Sequence, residues 1–213
     1  MNTIDTWHAE TLGQSAVKSL IKNGFKAEYL PDAASAAERI GEFLVKGQSV
    51  GFGGSMTVKA LGVQEKAAAA GCEILDHNAP GLSPEAKLGL LRRQLSCDLF
   101  ISGSNALTLE GELVNVDGNG NRVAALSFGP ARTLVVVGVN KIVLDLDEAF
   151  ARIELVASPK NNKRLDKPNP CVKVGRCMDC EGETRICRVY QVLRRRPSLS
   201  DFTVLVVGEP LGF

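Results

Sequence analysis

The chain has 213 residues, 45% of them apolar, and a formal net charge of +1. That length supports one sizeable core, and the near-neutral balance gives no overall pull towards nucleic acid or a membrane surface. No stretch approaches the roughly 18 apolar residues of a membrane span, and the start Met1-Asn2-Thr3-Ile4-Asp5 lacks the basic-then-apolar pattern of a secretory signal. The expectation is a cytoplasmic protein, in which six cysteines read as thiols or metal ligands rather than as a disulfide framework.

In chain order, Thr6 to Asn23 places Trp7, Leu12, Ala16, Leu20 and Ile21 at helical spacing before a left-handed stop at Gly24. Residues 25–30 alternate as a short strand, and Pro31-Asp32 opens a second helix carrying Ala33, Ala36, Ile40, Phe43 and Leu44. A strand over 49–52 runs into a glycine turn, and Val58 to Ala70 reads as one helix. Strand 72–76 follows, then a helix from Pro84 to Leu95 with Leu88, Leu91 and Leu95 facing inward. Residues 98–103 and 111–116 are strands separated by a polar stretch. Thr133 to Val137 is the clearest buried strand, with 142–144 continuing the same sheet before a helix from Leu146 to Val156. Beyond Ala157 the periodicity fades until a last strand over 202–207. The alternation predicts an α/β domain over 1–213 with a mainly parallel sheet and helices on both faces. A cysteine-rich segment, 168–190, is inserted before the last strand.

Four polar constellations follow strands. In Gly51-Phe52-Gly53-Gly54-Ser55-Met56-Thr57, unpaired N–H groups at a helix start attract an anion, Gly53 and Gly54 permit close approach, and Ser55 and Thr57 add hydroxyls. The pattern is neither a Walker loop nor the dinucleotide fingerprint, and the bland alternative is a turn with Ser55 capping the next helix. Asp117, Asn119, Asn121 and Arg122 crowd a glycine-rich loop with more functional groups than a hairpin turn needs; Asp117 is the candidate acid or base. Asn140-Lys141 ends the strongest strand, where open α/β sheets place their ligand crevice, with a solvated lysine as the alternative. Asn105 and Thr108 lie in a polar stretch with Glu110 and Glu112, of which Glu112 is a second candidate carboxylate.

Cys171, Cys177, Cys180 and Cys187, spaced x5, x2 and x6, lie in a segment without secondary-structure pattern. The spacing fits metal ligation, by zinc or an iron–sulfur cluster alike, with free thiols as the alternative. From Lys160 to Arg196 there are eleven Lys or Arg against four acids, but only Tyr190 is interleaved as a stacking aromatic, so nucleic acid is not expected. Cys72 and Cys97 read as core residues. His8 and His77 belong to no recognisable triad or metal motif.

Gly-Phe-Gly-Gly-Ser-Met-Thr at 51–57, Ser-Asn-Ala-Leu-Thr at 104–108, the run 111–122, Gly-Val-Asn-Lys-Ile-Val at 138–143 and Pro-Cys at 170–171 together resemble the lactate utilization (LUD) domain family. The resemblance implies a fold similar to the sugar-phosphate isomerase and CoA-transferase superfamily, with an anionic small molecule held near the glycine turn. It further implies carboxylate metabolism linked to oxidation of L-lactate to pyruvate, with iron–sulfur or lactate-oxidation partner proteins; a homodimer is also admitted. The rival readings are an isomerase or transferase of a sugar phosphate or CoA ester, and a non-catalytic assembly subunit. The chain has one four-cysteine set where longer relatives carry paired ferredoxin motifs.

Overall fold

The computed structural model describes residues 2–213. Its centre is a six-stranded sheet in the order β1-β10-β7-β4-β2-β3, with every neighbour pair parallel. The strands are β1 (Lys26–Leu30), β2 (Ser49–Phe52), β3 (Glu73–Leu75), β4 (Leu99–Gly103), β7 (Arg132–Gly138) and β10 (Asp201–Val207). Because successive side chains on a strand point to opposite faces, β7 and β10 feed two cores at once. Val135, Val137, Phe202, Val204 and Val206 face one core, whereas Leu134, Val136, Leu205 and Val207 face the other.

Helices cover both faces. On the first, α1 (Thr3–Lys22) contributes Ala16 and Leu20. On the second, α2 (Ala33–Gly41), α3 (Met56–Ala60) and α4 (Val63–Ala69) contribute Ala36, Ile40, Val58, Val63 and Ala67. The α1 helix begins three residues before the expected Thr6, because the Asn2 side chain accepts from the N–H groups of Ile4 and Asp5. Its buried stripe is Ala9, Gly13, Ala16 and Leu20, while Trp7 and Ile21 are exposed. Small residues are required there: a Cβ at Gly13 would lie 2.5 Å from the Tyr29 ring.

Four expectations are corrected. The single helix 58–70 is two short helices, since Gly62 adopts a left-handed conformation (φ +61°) between α3 and α4. In α5 (Pro84–Gln94) the buried residue is Gln94, and Leu88 faces solvent. Residues 111–116 and 142–144 do not extend the main sheet. They supply β6 (Leu113–Asp117) and β8 (Ile142–Val143) to a second, four-stranded sheet, β8-β5-β6-β9, completed by β5 (Ala106–Thr108) and β9 (Val189–Leu193). Leu107, Leu113 and Leu193 of this sheet close the core that α1 also covers, while Ala106 and Val114 pack on α7 (Leu146–Arg152). Fourth, the helical path does not fade after Ala157. It continues through a π-turn (Ile153–Ala157) into α8 (Ser158–Arg164), the wide turn admitting Pro159 at the start of α8.

The remaining helices are α6 (Asn121–Ser127) and the four-residue α9 (Cys171–Val174). The cysteine-rich segment 168–190 therefore runs into the start of β9, a strand that separates it from β10. Among the described residues no helix is long and apolar enough to cross a membrane.

Candidate anion-binding crevice

A crevice of about 360 Å³ opens beyond the carboxyl ends of β2, β4 and β7, the edge at which parallel sheets present their loops. Its floor joins Gly53, Gly54 and Ser55 from the β2 loop, Gly103 and Ser104 from the end of β4, and Lys141 from the 3-10 turn (Val139–Lys141) after β7. The glycines are there for contact: a Cβ at Gly53 would lie 2.4 Å from Ser102 Oγ, and one at Gly103 would lie 2.6 Å from Ser55 Oγ. Ser55 caps α3, its Oγ accepting from the Val58 N–H at 3.4 Å. Because α3 has only five residues, its dipole is a minor source of positive potential. Positive charge in the crevice therefore resides mainly on side chains.

The opposite wall belongs to the second sheet and is a closed hydrogen-bond network around Arg122. Its Nε donates to Asp117 Oδ1 (2.9 Å), Nη1 to Asn115 Oδ1 (2.7 Å) and Gly103 O (3.3 Å), and Nη2 to Asn105 Oδ1 (2.7 Å) and Val116 O (2.9 Å). All five guanidinium donors are thus committed to protein. Asp117 Oδ2 accepts from the N–H groups of Arg122 and Val123, fixing the start of α6. In this geometry both oxygens of Asp117, the candidate acid or base, accept hydrogen bonds, and each Arg122 N–H meets a protein acceptor. Asn119 and Asn121 line the crevice beside them.

Lys141 is the contrast. It is 3% exposed, and its Nζ donates to Thr57 Oγ1 (2.8 Å) and Ser104 O (3.2 Å). Thr57 accepts because its own hydroxyl proton goes to Leu211 O at 3.0 Å. Among the described residues no carboxylate forms an ion pair with Lys141 or with neighbouring Arg152. Burial pushes the Lys141 amine down to about 7, and the charges of Arg152 and Arg122 add to the effect. Burial also lowers Arg152, to about 10.

Other expected residues lie elsewhere. Thr57 is buried behind Lys141 and orients it. Asn140 clamps the chain end, accepting from Leu211 N–H and donating to Gly212 O. Thr108 and Glu112 are bonded to each other in the β5–β6 turn, where Glu112 Oε1 stands 3.6 Å from Arg194 Nε and Gly111 packs on α1. Neither lines the crevice. Of the cysteines only Cys187 does; Cys97 is buried, as expected, whereas Cys72 is only half-buried.

Several lining residues escaped the sequence reading. His77 and Asn78 follow β3, and burial holds the His77 imidazole below its ordinary value against the opposing charge of Asp76. A polar run directly after a strand was the available signal. Lys87, Arg164 and Lys167 add positive charge to the lining. Arg164 ends α8 and Lys167 lies three residues beyond it, and without that helix the sequence does not place either at the crevice.

A family model described as the LUD domain matches residues 13–207. The structure is similar to that of a DUF162 family protein from Deinococcus radiodurans, with a TM-score of 0.51 at 15% identity, covering 93% of this chain and 98% of that one. A partial likeness to eIF2B beta from Chaetomium thermophilum has a TM-score of 0.35 at 18% identity, covering 53% and 44% of the two chains. No curated protein sequence matches the chain. With the family model spanning nearly all of the main sheet and the crevice, the chain belongs to the LUD domain family.

Proposed function

We propose that this LUD-domain protein serves carboxylate metabolism related to lactate utilization, and that it binds a small anion at Lys141 in the crevice. The observation that carries this reading is a buried amine with no carboxylate partner, facing a cavity. An uncompensated cation in a low-dielectric site is costly, and an entering carboxylate supplies the missing charge. An amine near pH 7 also exchanges protons readily, which suits a ligand that passes between hydroxy and oxo acids, as L-lactate and pyruvate do. Electrons from such an oxidation would pass to partner iron–sulfur proteins.

The test is calorimetric titration of the protein with L-lactate, pyruvate and inorganic phosphate, repeated with Lys141→Met. Saturable carboxylate binding that disappears in the variant is the expected result. Equal heats for both proteins would sink the reading. Lys87, Arg164 and Lys167 in the lining favour a second reading, an isomerase or transferase acting on a larger anion such as a sugar phosphate or CoA ester. Under that reading phosphorylated ligands bind while lactate and pyruvate do not, and Arg164→Ala weakens them.

A further inference from the structure

We propose that Cys171, Cys177, Cys180 and Cys187 hold a metal centre through four thiolates, and that this centre fixes one wall of the crevice. The segment from Asn169 to Arg188 has a single four-residue helix and little apolar burial of its own, Val174 and Met178 being exposed. Ordering a backbone costs about 1–2 kcal/mol per residue, which a loop without a core does not recover. Yet it is folded back on itself. Asn169 Nδ2 donates to Thr184 O (2.9 Å), and Thr184 Oγ1 donates to Asn169 Oδ1 (2.6 Å). Arg185 ties two cysteine carbonyls together, donating from Nη1 to Cys180 O (2.8 Å) and from Nε to Cys187 O (2.7 Å).

The paired cysteines carry a second mark. Asp179, between them, adopts a left-handed conformation (φ +44°), and its N–H donates to Cys177 Sγ at 3.4 Å. A backbone wrapped so that an N–H meets the sulfur matches the C-x-x-C half of a tetrathiolate site. Cys177 N–H is anchored to Glu154 O (2.8 Å) on the π-turn. Cys171 and Cys187 are buried, Cys177 and Cys180 half-buried, and all four lack disulfide partners. Each thiol lies within electrostatic reach of others of the set. Among the described residues no three metal-capable groups stand at ligating spacing, so the proposal requires the four thiols to draw together on the ion.

Zinc and an iron–sulfur cluster share this ligand set. Either takes four thiolates, so binding a divalent ion releases four protons and leaves a net charge of minus two on the ZnS4 unit. The ordering reaches the crevice directly. Ile186 and Cys187 line it, and a Cβ at Gly118 would sit 3.4 Å from the Ile186 backbone.

The proposal is independent of the anion's identity and is tested without it. The full chain is purified anaerobically, its iron and zinc are counted and its visible spectrum recorded; metal-stripped protein is then titrated with Co2+. The expected result is one zinc ion or one cluster per chain, and a tetrahedral cobalt–thiolate spectrum that saturates at one equivalent. Both are lost in Cys177→Ser/Cys180→Ser and kept in Cys72→Ser. Circular dichroism on each variant separates lost ligands from lost fold, and the single variant Cys180→Ser, expected to bind Co2+ with a changed spectrum, provides a milder second reading. Native-fold wild type with no metal and no tetrahedral cobalt spectrum overturns the proposal, as does full metal content in the double variant.

Discussion

The crevice has two walls that treat a buried cation in opposite ways. On the second-sheet wall, Arg122 is paired with Asp117 and gives every N–H to a protein acceptor. On the main-sheet wall, Lys141 is more deeply buried but meets only a hydroxyl and a carbonyl. The first is structure: a satisfied network holds β6, α6 and the Ser104–Asn105 loop in register. The second leaves a buried amine without a counter-charge, and the proposed anion binding rests on that difference.

Breaking the satisfied wall has the largest expected effect. Arg122→Met leaves Asp117 buried without its partner and lowers stability by about 3–5 kcal/mol in urea denaturation. A loss under about 1 kcal/mol would place the pair effectively in solvent and erase the contrast. Lys141→Met should do the reverse: stability at pH 7 holds or rises, while anion affinity drops at least about tenfold, roughly 1.4 kcal/mol.

The same amine gives a pH signature. Its folded value, about 7, lies below the ordinary lysine value of 10.5, so between those limits the unfolded chain binds the extra proton. The burial penalty is therefore complete below pH 7 and fades as pH rises towards 10.5, and wild-type stability climbs across that window relative to Lys141→Met. Anion affinity moves oppositely, falling by up to about tenfold per unit above pH 7 as the ammonium is lost. A flat affinity profile from pH 6 to 9 would assign the anion to the other basic lining residues. Thr57→Val sharpens the picture on a smaller scale: losing the hydroxyl between Lys141 and Leu211 costs about 1 kcal/mol of stability and weakens anion binding less than removing the amine. The smallest effect belongs to Glu112→Gln, which leaves binding unchanged and stability within about 1 kcal/mol, since its Arg194 partner is 71% exposed.

The loops that build the crevice were legible because each combines a strand end with glycines or polar groups, and parallel sheets gather such ends at one edge. Roles within the crevice were not. Asp117 and Arg122 are five residues apart, which suggests a pair, but only the distant Asn105, Asn115 and Gly103 reveal that the pair is saturated. Thr57 and Lys141 are 84 residues apart, and nothing local says that one hydroxyl orients the other's amine. Glu112 was a second candidate beside Asp117, but the β5–β6 turn carries it to Thr108 and Arg194, outside the crevice lining.

By itself the sequence determined the parallel α/β sheet, because continuous apolar runs such as Thr133 to Val137 can be buried only between two helical layers. It also determined that four cysteines share one short segment. Only the tertiary structure decided that β5, β6, β8 and β9 leave the main sheet, since three of them are five residues or fewer within the polar stretches and one follows the cysteines. It alone decided which cation stays unpaired. Periodicity reports which face of an element is apolar, whereas charge compensation depends on neighbours far along the chain.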